Sequence, residues 1–147
     1  MKPIQMVMIL LALLLCISLP TDVLAEPLTR ERSYLGTEPF SLKQSMDWFE
    51  HTDHSYKNEI TYLINLIEHS PLTFIRNGKK YDGEKAGAHL KKKWEAKKEQ
   101  ITSTEAFIEK VASHSWMSGK PYQIEYQNHE TIPLKSVLYN ELLRLHK

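Results

Sequence analysis

The sequence predicts a small α+β domain of three to four helices and a small antiparallel sheet that includes a tight hairpin. Three observations carry that expectation. Ile60, Leu63, Ile64 and Ile67 recur at helical spacing. Asn77-Gly78 sits between two short runs, Phe74-Ile75-Arg76 and Lys79-Lys80-Tyr81. Tyr122, Ile124 and Tyr126 alternate with polar residues as on a half-buried strand.

Residues 1–25 read as a cleaved export signal. Met1 and Lys2 make a short basic start, and Met6–Leu19 is an apolar run of 14 residues, shorter than the roughly 20 needed to span a bilayer. Val23-Leu24-Ala25 then supplies the small-residue cleavage pattern, with the mature chain starting at Glu26. The single cysteine, Cys16, follows Leu15 inside the apolar run rather than a small residue, which argues against lipidation. Cleavage leaves a chain with no cysteine, so disulfides, thiol catalysis and thiolate metal sites are excluded from the mature protein. It removes one base, Lys2, and one acid, Asp22, from a chain of net charge +1, so no bulk attraction to nucleic acid is expected. Every aromatic residue lies beyond the signal, enough for one core.

Residues 26–54 read as a partly flexible leader. Pro27, Gly36 and Pro39 interrupt its first half, and Phe40, Leu42, Met46, Trp48 and Phe49 suggest a short amphipathic helix from about Ser41. A single compact domain is expected over 55–147. Its first helix starts at Ser55 and stops at Ser70-Pro71, where proline cannot continue it. Asn77 and Gly78 both tolerate the positive φ angles of a type I′ turn, which closes the hairpin. Asp82 then caps a helix to about Lys98 with Ala86, Leu90 and Trp94 inward. Thr102 and Glu105 have capping-box spacing for a third helix through Phe107, Ile108, Val111 and Ala112, ending near Ser115. After the 122–126 strand and a polar turn, Leu134, Val137, Leu138, Leu142 and Leu145 mark a terminal helix.

Several separated strings resemble one family: Phe74-Ile75-Arg76-Asn77-Gly78; Ala88-His89-Leu90 with Lys93; Thr104-Glu105; Phe107-Ile108-Glu109-Lys110; Ala112-Ser113; Ser115; and Ser118-Gly119-Lys120-Pro121-Tyr122. In order and spacing they are similar to the YfeK-like family of small exported bacterial proteins, a domain of unknown function, over roughly 59–143. The resemblance implies a bacterial, periplasmic address and one compact domain, and it brings no activity. The chain departs from the family pattern at Trp116 and Leu72.

Candidate chemistry is sparse. Asp47, Glu50, His51, Asp53 and His54 gather borderline-metal ligand types, but a polar leader collects such residues without function, and no metal or cofactor is expected. Ser113, His114 and Ser115 invite a hydrolase reading. Neighbours on a helix point about 100° apart, which argues against a local Ser113–His114 pair. His89, one turn before Lys93, is expected to be a neutral imidazole at the core edge. Arg76 either clamps a ligand carboxylate or pairs internally with Glu105 or Glu109, the internal clamp being favoured. Lys91, Lys92, Lys93, Lys97 and Lys98 read as a solvated basic face. In Ser118-Gly119-Lys120-Pro121, Gly119 allows a tight turn and Pro121 keeps Lys120 extended, presenting a hydroxyl and an ammonium.

The expectation is therefore a non-enzymatic exported domain that binds an envelope protein partner, with no stable membrane anchor after cleavage. Ser118, Gly119, Lys120, Arg76 and His89 are its candidate binding residues. One alternative is a small periplasmic hydrolase using histidine and serine. Another is an inhibitor of a lysozyme-type enzyme, offering Ser118 and Lys120 to its carboxylate pair. Intact-mass measurement of the exported protein should give a chain beginning at Glu26; retention of 1–25 or a lipid on Cys16 would overturn the export reading.

Overall fold

The computed structural model describes residues 33–37 and 39–147. The signal, Cys16 and the first part of the leader lie outside these residues. Five α-helices and four strands follow in the order α1 (Pro39–Glu50), α2 (Tyr56–Glu68), β1 (Thr73–Arg76), β2 (Lys79–Tyr81), α3 (Gly83–Lys97), α4 (Thr104–Phe107), β3 (Gln123–Glu125), β4 (Thr131–Pro133) and α5 (Leu134–Leu145). A 3₁₀ turn, Lys98–Gln100, ends α3, and a π-helical turn, Ile108–Ala112, extends α4. The fold is α+β, with one helix more than the sequence leads one to expect.

Helix α2 is the central element. Ile60, Tyr62, Leu63, Ile64, Leu66 and Ile67 are buried along it, and α1, α3, α4 and α5 all pack against it. The four strands form one antiparallel sheet in the order β2-β1-β3-β4. Asn77 and Gly78 both have positive φ, 53° and 77°, as the type I′ turn requires. Asp82 caps α3 by accepting from the Lys85 backbone N–H at 2.8 Å.

Three local expectations need correction. The cap of α4 is Ser103, whose side chain accepts from Ala106 N, one residue beyond Thr102. Thr104 is buried, its hydroxyl donating to Glu59 of α2, and this contact sets the helix start. The polar turn after Tyr126 contains strand β4, because Ile132 pairs with Ile124 on a sheet edge too short to show alternation. The leader is packed from Ser33 on: Leu35, Leu42 and Phe49 belong to the core. Glu141, fully buried, holds this segment in place. It accepts from the Ser33 hydroxyl at 2.5 Å and Leu35 N at 3.1 Å, and pairs with Arg144 at 2.8 Å, which in turn donates to the Tyr62 hydroxyl at 2.6 Å.

The position of α3 over the rest follows from two glycines. A Cβ on Gly83 would lie 2.3 Å from the Ile67 carbonyl and 2.6 Å from that of Ser70, and one on Gly87 would lie 2.3 Å from Glu68 Cγ. The start of α3 thus rests directly on the end of α2, backbone against backbone. Gly83→Ala should lower stability by about 1–3 kcal/mol, the usual cost of overpacking. Gly78→Ala, where a Cβ meets nothing within 4 Å, should cost about 1 kcal/mol through its left-handed φ alone. Denaturant melts of the two variants check the difference; equal losses would mean that the α2–α3 contact is looser than described.

Candidate functional site

A cleft of about 300 Å³ opens between the start of α3 and the β1–β2 hairpin. Ile75 of β1 pairs with Gln123 of β3, so the next residues along, Arg76 and Tyr122, come to the same side of the sheet. Helix α3 crosses that side and brings Lys85, Ala86 and His89 over it. Arg76, His89, Lys92 and Tyr122 line the cleft with Phe74, Leu90 and Leu134, and no carboxylate is among its lining residues.

Arg76 is not clamped internally, contrary to expectation. Its guanidinium lies 4.9 Å from the centre of the Tyr81 ring and donates to the Tyr81 hydroxyl at 3.3 Å. Glu109 is taken instead by Lys135 at 2.8 Å and by the Tyr139 hydroxyl at 2.9 Å. These contacts tie the π-helical turn to α5, and Arg76 forms no ion pair among the described residues.

Lys93 departs furthest from its expected place. Among five lysines read as a solvated face it turns inward and is 6% exposed. Its ammonium donates to the carbonyls of Val111 at 2.5 Å and His114 at 2.8 Å and to the Tyr122 hydroxyl at 3.1 Å. It also lies 4.5 Å and 4.8 Å from the ring centres of Trp116 and Tyr122. Three acceptors satisfy its three donors without any carboxylate. Burial first and the Arg76 charge second push its pKa down to about 8.

An ammonium can only donate, so Tyr122 Oη accepts from Lys93, and the same oxygen meets His89 Nε2 at 3.2 Å. Burial, Arg76, Lys93 and Lys92, in that order, hold the His89 pKa down to about 4. The neutral histidine expected at the core edge is therefore present, set inside a cationic cluster.

The Ser118–Pro121 loop adjoins this face. Ser118 Oγ donates to Asn77 Oδ1 at 2.6 Å, so the loop is tied to the hairpin tip directly after Arg76. Gly119 has φ 68° and its N–H donates to Ser115 O at 2.8 Å, while Ser115 N donates to Lys120 O at 2.9 Å. Lys120 is exposed. The serine proton is thus engaged within the chain, and the ammonium is what the loop projects.

Ser113 and His114 do meet, Oγ to Nδ1 at 2.6 Å, contrary to expectation. The helical turn ends there, and His114 forms an isolated bridge with Pro121 rather than continuing the helix. The serine hydroxyl donates to the Glu109 carbonyl, so the His114 Nδ1–H donates to the serine. This direction is the reverse of what a general base needs. Neither residue lines the cleft. In the acidic cluster, Asp47 pairs with Lys43, His51 meets the Asp47 carbonyl, His54 stacks on Phe49, and Asp53 accepts from Ser55 N and Asn58. Among the described residues no three His, Cys, Asp or Glu side chains converge on one point.

The whole face, from Arg76 to Tyr122, falls within 54–146, the residues matched by the profile of a family described as a family of unknown function, DUF5329. The chain belongs to this family. It is 42% identical over 64 residues to the uncharacterized protein YfeK of Salmonella typhimurium, a match that covers 43% of this chain and 53% of that protein. The chain thus spans about half the length of this curated relative. No solved structure matches. Within the family's stretch, sequence reasoning missed Lys93 and Tyr122 as parts of the site. The signal was present: Lys93 stands three residues after Leu90 and seven after Ala86, on the apolar side of its helix.

Acidification supplies a test of His89. An unfolded histidine takes up a proton near its ordinary pKa of 6.5, whereas His89 in the folded chain resists it to about 4. The unfolded state therefore binds more protons in that window, and stability is lost as pH falls from 6.5 towards 4. In His89→Gln that loss should shrink, measured as the difference between melting curves at pH 6.5 and 4.5; an unchanged difference would show that His89 is not held neutral.

Proposed function

We propose that this member of the family is an exported, non-enzymatic binding protein of the bacterial envelope, and that Arg76, His89 and the Ser118-Gly119-Lys120 loop form its working face. The observation that carries the reading is the Arg76 guanidinium, braced on Tyr81 at the mouth of a cleft with no carboxylate in its lining. A guanidinium placed for a partner outside the chain is what such an arrangement offers. The Ser118–Asn77 hydrogen bond joins the loop to the same face, which makes the five residues one surface.

The hydrolase alternative lacks support from the geometry, since the cleft holds His89 and Arg76 without Ser113 or Ser115. Export rests on residues 1–25, whose cleavage gives the periplasmic address, and among the described residues no helix is long and apolar enough to cross a membrane. The reading as an inhibitor of a lysozyme-type enzyme would rest on Lys120 more than on Ser118, whose proton is held by Asn77.

Immobilised mature protein should retain material from an envelope extract, detected by native mass spectrometry. Arg76→Gln should reduce that retention tenfold or more, about 1.4 kcal/mol, and Lys120→Ala should reduce it less. Lys120→Ala should leave the melt within about 0.5 kcal/mol of wild type, as for an exposed position away from the core, and Arg76→Gln should cost about 1 kcal/mol or less through its lost contacts with Tyr81. Retention unaffected by either variant would remove the face from the reading. Ester hydrolysis abolished by Ser113→Ala would replace binding by catalysis.

A further inference from the structure

Resting on that reading of the face, the walls and charges of the cleft identify what it takes. We propose that it holds a small organic anion, with a carboxylate or phosphate head against Arg76 and His89 and an apolar body along Phe74, Leu90 and Leu134.

The head group follows from which cations have internal partners. Lys85 at the cleft rim is paired with Asp82 at 2.8 Å, and the Lys93 donors are filled by Val111, His114 and Tyr122. Among the described residues Arg76 has the Tyr81 hydroxyl and ring as its partners. Its planar fork retains N–H donors suited to two oxygens of one head group, and bracing against Tyr81 lowers the entropy lost on binding. His89 lines the cleft with Arg76, its Nε2 3.2 Å from the Tyr122 hydroxyl. Lys92 lines the cleft, and no acid among the lining residues opposes a second negative charge.

The body follows from the walls. Phe74, Leu90 and Leu134 are core residues that also line this cleft. These walls offer no hydrogen bond to a polyol, and apolar atoms laid along them gain about 25 cal/mol per Å² buried. A volume of about 300 Å³ is at the lower limit for ligand pockets, which points to a small molecule.

The test uses the mature protein with four probes, benzoate, phenyl phosphate, benzamide and inorganic phosphate, read by NMR of the His89 and Tyr122 rings and by thermal shift. Benzoate or phenyl phosphate should move both rings and raise the melting temperature. The stronger of the two identifies the head group. Each should bind at least tenfold better than its counterpart lacking the charge or the ring, benzamide and inorganic phosphate respectively. The bound anion should also raise the His89 midpoint from about 4, because it offsets the Arg76, Lys92 and Lys93 charges that depress it. Arg76→Gln should abolish these effects while still unfolding in one cooperative transition.

Benzamide matching benzoate would show that charge is not read, and inorganic phosphate matching phenyl phosphate would show that the walls are not used; either overturns the proposal. So does silence from all four probes. If extract retention still depends on Arg76 in that case, the face binds something of another class, such as an acidic protein surface; if it does not, the binding reading falls as well.

Discussion

The ammonium of Lys93 joins three parts of the chain that sequence order keeps apart. It leaves α3, reaches the carbonyls at the end of the π-helical turn, and meets Tyr122 just before β3. A buried cation without a carboxylate is costly unless its donors are all filled, and here two carbonyls and a hydroxyl fill them between two aromatic rings. The consequence extends beyond stability. The same hydroxyl meets His89 Nε2 at 3.2 Å, which links the buried lysine to the cleft-lining histidine. Burial first, then the charges of Arg76 and Lys93, keep the imidazole neutral.

That interaction is possible because α3 is held close to α2. Gly83 and Gly87 remove the Cβ atoms that would separate the helices, and Trp94 packs edge-on against Phe107 further along α3. The sheet is then covered by α3 on the side where Arg76 and Tyr122 emerge, and the remaining gap is the cleft. At the opposite end of the molecule, Glu141 and Arg144 perform a separate task. As a buried pair they contribute little net stability compared with apolar residues of the same size. They specify instead where the segment from Ser33 to Thr37 lies, through the Ser33 and Leu35 donors.

Most elements were legible because each is decided by near neighbours. The Asn77-Gly78 turn, the Asp82 cap, and the apolar repeats of α2 and α5 depend on steric and hydrogen-bonding preferences within a few residues, and all appear where those preferences put them. Errors came where a distant partner decides. Ser103 replaces Thr102 as the cap because Thr104 is drawn down to Glu59. Ser113 and His114 meet because the bridge to Pro121 takes His114 out of the helix. Leu35 is buried by contacts with residues more than 30 positions away, which no local composition of the leader reveals.

At the site the division is sharper. Sequence alone determined the hairpin that carries Arg76 and the capped helix that carries His89 with Lys93 one turn on; the depressed basicity of that histidine comes first from burial, which packing decides. Sequence also determined that a Gly-Pro loop follows the third helix. Tertiary structure decided everything that depends on which partner is absent or present. Arg76 forms no ion pair among the described residues, Glu109 being held by Lys135 and Tyr139, and Lys93 is internal because two carbonyls and Tyr122 await it. The loop joins the face because Ser118 finds Asn77, 41 residues earlier in the chain. A charge or a hydroxyl has several possible partners in a sequence, and its distances to them are set only when the chain has packed.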